Sequence, residues 1–405
     1  MSCWLFSFPR DITQFIVEDW LTISDVQVLD DIFMTGNDDQ VAASLLKITW
    51  KPFIARVLGN SFICSSTIEC PSFNRNLKLL QLRNGCIGLG REDGVVDIYD
   101  AMQEKLFLSL QCSPEKEKIE SIFQLSNGKL IISTKNCIKL WDLERNICEI
   151  AQETFETALF FAELPGDKIA IGFQSMIHVR PADLTSFVFG VSPKVMWISC
   201  LLSYSNQLVT AGGTGVIKIL NGNSGAVEDQ SMSHVAYVEC AIMISSSILL
   251  TGACDYLIKS WDLTTRKCLA TYRGHSKTIN FLLHLPATQF NHYEYDRFIS
   301  ASTDKNMKIW SLQTNECLFT LVDEAPSSLL VSGFTSLRVL PDGRVLSSGV
   351  ADKNIKMWSI QQQGPYLRSL VGHQQMVCSV VQSVTCGKLI SLSIDGHLKF
   401  WTEDK

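Results

Sequence analysis

The sequence predicts an all-β chain, built as a closed ring of small antiparallel sheets behind a short helical segment. Three observations predict it. A short phrase built around lysine and tryptophan recurs, its copies lie about 40 residues apart, and short strands of alternating polarity precede each copy.

The phrase reads Ile138-Lys139-Leu140-Trp141-Asp142, Ile258-Lys259-Ser260-Trp261-Asp262 and Met307-Lys308-Ile309-Trp310-Ser311. It returns as Ile355-Lys356-Met357-Trp358-Ser359 and Leu398-Lys399-Phe400-Trp401-Thr402. Weaker copies are Val96-Asp97-Ile98-Tyr99-Asp100, Ile177-His178-Val179-Arg180 and Ile217-Lys218-Ile219-Leu220. The tryptophan slot therefore falls at 99, 141, 180, 220, 261, 310, 358 and 401, at intervals of 39 to 49 residues. A period near 40 made of short strands is the signature of a β-propeller. Eight slots predict eight blades, with seven as the alternative count.

Each element of a copy has its own signal. Asp93, Asp255, Asp304, Asp352 and Asp395 lie six residues before their slots, where a tight turn is needed. Upstream run strands such as Arg297-Phe298-Ile299-Ser300, and before them turns such as Asn84-Gly85, Asn127-Gly128 and Asp342-Gly343. The two longest intervals contain insertions at 284–297 and 322–335. Almost no chain follows the last slot, so the closing strand is expected from the front of the propeller, near 62–68. The ring is thus assigned to 53–405 and the helical segment to 1–52.

Composition supports this division. Residues 1–50 hold eight acids against two bases, which accounts for the whole formal charge of −6. The remaining body is formally neutral, which gives no electrostatic case for nucleic acid. No apolar run of about 18 residues exists, so no membrane insertion is predicted. The start, Met1 to Phe8, is too short for a secretory leader. None of the 14 cysteines is spaced Cys-x-x-Cys, which removes zinc-ribbon and thioredoxin patterns. Cys148, Cys268 and Cys317 each follow a tryptophan by seven residues and are expected to be small buried apolar positions. A reducing compartment is expected: cytoplasm, nucleus or, for a secreted effector, a host cytosol.

These phrases resemble the WD-repeat propeller family over roughly residues 60–405. The resemblance implies a His–Ser/Thr–Asp–Trp hydrogen-bond set in three copies. The sets are His234–Thr251–Asp255–Trp261, His275–Ser300–Asp304–Trp310 and His373–Ser391–Asp395–Trp401. Such residues invite a Ser–His–Asp catalytic reading, but recurrence at the repeat spacing assigns them to structure. Gln174 and Thr214 occupy the Asp slot of two weak copies, where no set can form. No P-loop, dinucleotide fingerprint or zinc-protease motif is present, so no catalytic residue, metal or cofactor is expected.

The acidic head carries a second resemblance, to the F-box. Phe8-Pro9, Ile12, Ile16, Leu21, Asp25, Val26 and Leu29 follow that family's opening and apolar spacing, with one inserted residue. Trp50 comes 24 residues after Val26, where the family expects a tryptophan after about ten, so the pattern departs there. By this resemblance the protein is a substrate receptor of a Skp–cullin–F-box ubiquitin ligase. Phe8, Pro9, Ile12, Ile16, Leu21, Val26 and Leu29 would then bind a Skp-type adaptor while the propeller holds a substrate protein. The other readings are a helical cap on the propeller and a WD-repeat scaffold with no ubiquitin role. A monomeric propeller within a complex is expected. Partner binding is expected at one mouth of the ring, through Arg91, Glu92, Lys135, Gln174, Tyr256, Thr303, Lys305 and Lys353. The lysines two residues before the slots read as an outward-facing series.

Overall fold

Successive side chains of a strand point to opposite faces, so a strand held between two sheets must be apolar on both. The slot strands meet that condition. In the computed structural model, which describes residues 62–70, 79–229, 231–285, 296–322, 334–349, 353–360 and 366–403, every regular element is a strand. The strands make eight four-stranded antiparallel sheets arranged as the blades of a propeller. Blades 1 to 7 cover 79–111, 121–153, 160–191, 198–229, 238–272, 279–322 and 334–370. Within each, chain order runs from the inner strand to the outer one, as in blade 6 with Ile279–Leu285, Arg297–Ser302, Asn306–Ser311 and Cys317–Val322. Blade 8 differs. Its strands Val377–Gln382, Leu389–Ser393 and His397–Glu403 are completed on the outside by Phe62–Glu69, from the opposite end of the ring sequence. The seam therefore falls inside a blade, where the first strand of the ring pairs with the last.

The core is divided among the junctions. Eight clusters of buried apolar residues occur, one between each pair of neighbouring blades. Blade 6 shows how one strand feeds two of them. Met307 and Ile309 pack with Leu337 and Val345 of blade 7, while Trp310 packs with Leu250 and Tyr272 of blade 5. At the seam, Leu398 and Phe400 of blade 8 meet Leu89 and Tyr99 of blade 1. Phe62 anchors the closing strand on the other side, against Leu340 and Met357 of blade 7.

The turns repeat as regularly as the strands. The residue after the Asp slot takes positive φ at Gly94, Tyr256, Lys305 and Gly396. Glycine adopts this conformation freely, whereas Tyr256 and Lys305 hold it at a cost of about 1 kcal/mol or more.

One expectation is corrected. Cys148, Cys268 and Cys317 are exposed, because they lie on outer strands facing solvent. Each thiol is 3.3–3.4 Å from the carbonyl oxygen two residues ahead. The expected helical segment 1–52, with Phe8, Pro9, Ile12, Ile16, Leu21, Val26 and Leu29, lies outside the described residues. So do Asp352 and most of both insertions.

Candidate protein-interaction face

Antiparallel strand order puts two kinds of loop at one end of the ring: the turns between second and third strands, and the links between blades. The His–hydroxyl–Asp–Trp residues tie these loops to the blades. In blade 5, His234 Nδ1 lies 2.9 Å from Asp255 and Nε2 lies 2.8 Å from Thr251 Oγ1. The Trp261 indole N–H donates to the same oxygen at 2.8 Å. Blade 6 has 2.8 Å for His275–Asp304, 2.7 Å for His275–Ser300 and 2.8 Å for Trp310–Ser300. Blade 8 has 3.0, 2.8 and 2.8 Å for the corresponding His373, Ser391, Asp395 and Trp401 contacts. One proton arrangement fits all three sets: Nδ1–H donates to the carboxylate, the hydroxyl donates to Nε2, and the indole donates to the hydroxyl. In that arrangement the imidazole carries a single proton, its neutral form. Burial favours that form and lowers the pKa of His234 and His373, against the pull of Asp255 and Asp395. Burial alone would raise Asp304, but hydrogen bonds from His275 and from the Ser276 and Asn306 N–H groups outweigh it and hold the carboxyl at about 2.

Each Asp also fastens the next stretch of backbone. Val235, Ser276 and Gln374 donate their N–H groups to Asp255, Asp304 and Asp395 at 3.1, 2.9 and 2.7 Å. The set is thus a staple for the linking loop, and its chemistry is spent internally. Blade 7 keeps part of it, with the Trp358 indole donating to Ser347 at 2.8 Å. In blade 2 the position opposite Lys139 is Ile132, and the buried Trp141 Nε1 has no partner. Blade 1 substitutes a charged network. The Arg91 guanidinium binds Asp93 and the buried Asp97, which also accepts from Ser109.

The ring exposes apolar groups at its mouth over blades 3 to 5, of which only blade 5 carries a staple. Leu159, Trp197 and Tyr237 immediately precede or begin the inner strands of blades 3, 4 and 5, and all are exposed. The Trp197 and Tyr237 rings meet edge-on, with centroids 6.0 Å apart. Gly213 lies beneath the indole, where a Cβ would come within 2.9 Å of the ring. Met196, 63 % exposed, is at φ 67° and Lys194 at φ 54°, so the loop presenting Trp197 holds two left-handed residues without glycine. Backbone strain of this kind concentrates at binding surfaces.

The expected mouth residues have different fates. Gln174 is exposed, and its carbonyl accepts the Ile198 N–H at 2.9 Å, which brings it beside Trp197. Tyr256 is exposed on the turn next to Asp255. Glu92, Lys135 and Lys353 are exposed on other blades, while Thr303 and Lys305 are half-buried. Arg91 is committed to blade 1 through its two aspartates. Sequence reasoning missed Trp197 and Tyr237, whose pairing joins residues 40 positions apart in two different copies, one of them weakly marked. Lys259, Lys308 and Lys399 each bond locally, to the Ser233 carbonyl, Thr320 and Thr67 at 2.8 Å.

Among the described residues, no His/Cys/Asp/Glu group is placed to hold a metal, and no helix is long and apolar enough to cross a membrane. The geometry defines an eight-bladed interaction propeller. Three stretches of the ring match a known family: the one described as "WD domain, G-beta repeat" matches residues 266–311, 316–359 and 364–402. Each match begins just before the outer strand of one blade and ends within a residue of the end of the third strand of the next.

The WD repeat-containing protein pop2 of Schizosaccharomyces pombe is 28% identical over 45% of this chain and 29% of its own length. Autophagy-related protein 16 of Arabidopsis thaliana is 25% identical over 54% of this chain and 38% of that protein. Human pre-mRNA-processing factor 17 is 27% identical over 40% and 26%. The matched region thus spans less than two fifths of each relative. The crystal structure of the computationally designed Ika8 protein is similar with a TM-score of 0.65 and 19% identity, over 85% of this chain and 99% of that one. That likeness concerns the fold alone.

Proposed function

We propose that this propeller is a receptor that holds a protein partner at the mouth over blades 3 to 5. The observation that carries the reading is the exposed set Leu159, Met196, Trp197 and Tyr237, gathered at one end of a rigid ring. Exposed aromatics with little conformational freedom are the usual anchors of protein interfaces. Gln174 and Tyr256 supply polar contacts at its edge, while Glu92, Lys135, Thr303, Lys305 and Lys353 belong to other parts of the same end.

The acidic head extends this reading. Phe8, Pro9, Ile12, Ile16, Leu21, Val26 and Leu29 carry an F-box-like pattern, which supports a role as substrate receptor of a Skp–cullin–F-box ubiquitin ligase. The test is co-purification of the full-length protein with a Skp-type adaptor. The expected result is a stable complex lost in the Pro9→Ala, Ile16→Asp double variant. No complex, or one indifferent to both changes, would leave a WD-repeat scaffold without a ubiquitin role. That second reading has support in the variety of the relatives, whose names refer to pre-mRNA processing and autophagy.

A further inference from the structure

The inner strands of five blades are bulged near their mouth ends, and in blades 4, 6 and 7 the bulged residue serves a repeated purpose. Ser199 donates to the Val238 carbonyl of the next blade, Asn280 to the Phe334 carbonyl at 3.0 Å, and Thr335 to the Val377 carbonyl at 2.6 Å. Each is a donor spent on its neighbour. Blade 5 has the same bulge, between Val238 and Cys240, and there the residue is Glu239. A carboxylate can only accept, so it cannot make this bond. Cys240 lies nearest the Ile279 carbonyl instead, at 3.6 Å. Among the described residues, no hydrogen bond or ion pair engages the Glu239 carboxylate.

Glu239 is also two residues from Tyr237, on the strand whose mouth end holds the Trp197–Tyr237 pair. It is open to water yet set in the wall of the ring, and the surrounding protein pushes its pKa up. The Tyr237 phenol is raised to about 12 by Cys254 beside it, so its ring stays neutral. Two aromatic faces and one carboxylate without an ion-pair partner among the described residues make a site of negative potential.

We propose that the Trp197–Tyr237–Glu239 site receives a cationic side chain, the ammonium of a lysine or the guanidinium of an arginine, from the bound protein. The aromatic pair meets the side chain's stem and charge, and Glu239 completes the ion pair. The inference rests on the blade 3–5 mouth being the partner site and names the chemistry of what enters it.

The test uses full-length protein with isotope-labelled indoles, the Trp197 resonance being assigned by its loss in Trp197→Phe. Blocked Gly-Lys-Gly and Gly-Arg-Gly are titrated, with Gly-norleucine-Gly as the uncharged control. Both cationic tripeptides are expected to shift the Trp197 signal saturably, with dissociation constants on the order of millimolar. Glu239→Gln should weaken them at least about fivefold, while the Trp310 and Trp401 signals stay in place as evidence of an intact fold. Equal shifts from norleucine, or no loss in Glu239→Gln, would overturn the cationic assignment and leave the mouth as an uncharged binding site. Absence of any shift would overturn both.

Discussion

Replacing Ser300 by alanine removes one oxygen and leaves two buried groups without their partner. Ser300 has no exposed surface, and its hydroxyl holds His275 Nε2 at 2.7 Å and the Trp310 indole at 2.8 Å. An unmade hydrogen bond costs about 1–3 kcal/mol per buried polar group, and sparing the serine its own desolvation returns part of this. The expected net loss is about 2–4 kcal/mol. Ser300→Thr is the control, because blade 5 carries Thr251 at the same register position, opposite a lysine. Denaturant unfolding of the full-length protein, followed with the hydrogen exchange of the Trp310 indole, measures both the energy and its location. Trp310→Phe in the Ser300→Ala background should cost less than in the wild type, since its donor has already lost its acceptor. A loss below about 0.5 kcal/mol for Ser300→Ala, or strict additivity with Trp310→Phe, would refute the staple as a stabilising network.

Other consequences can be measured directly. The pKa values of His234 and His373 lie below the ordinary 6.5, so between those lowered values and 6.5 the unfolded chain binds more protons than the folded one. Stability should therefore fall as pH drops through that window. Asp304, at about 2 against an ordinary 3.8, adds a second loss in the same direction at lower pH, and thermal melts from pH 7 to about 2 should show both. Phe62→Ala empties part of the core that fixes the closing strand, and should cost about 3–5 kcal/mol by thermal or denaturant unfolding. Gly213→Ala sets a Cβ 2.9 Å from the Trp197 ring and should turn the indole, moving its resonance while that of Trp401 stays fixed.

The ring was legible because its signals are local and repeated. Trp261, Trp310, Trp358 and Trp401 sit on equivalent strands of successive blades, and the slots at 180 and 220 keep that phase even where Arg180 and Leu220 replace tryptophan. The blade count follows from the phase alone. What escaped depends on contacts between copies. Trp358 finds Ser347 eleven residues upstream, whereas its counterparts find hydroxyls ten residues upstream, and a fixed offset passes over it. Trp197, Tyr237 and Glu239 acquire meaning only when blades 4 and 5 stand side by side. Glu239 stands out only against Ser199, Asn280 and Thr335, whose shared task requires knowing the bulge. Exposure of Cys148, Cys268 and Cys317 likewise follows from which strand is outermost, a property of closure that a seven-residue offset does not encode.

The most direct test of the partner site places a photo-crosslinking amino acid at Met196 or at Phe107 in the full-length protein inside cells. Met196 is 63 % exposed beside Trp197, and Phe107 is 67 % exposed on the outer strand Lys105–Gln111 of blade 1. Discrete protein adducts are expected from position 196 that disappear with Tyr237→Ala, and none of those adducts from position 107. The same adducts from both positions, or adducts from 107 alone, would contradict a partner site at this mouth.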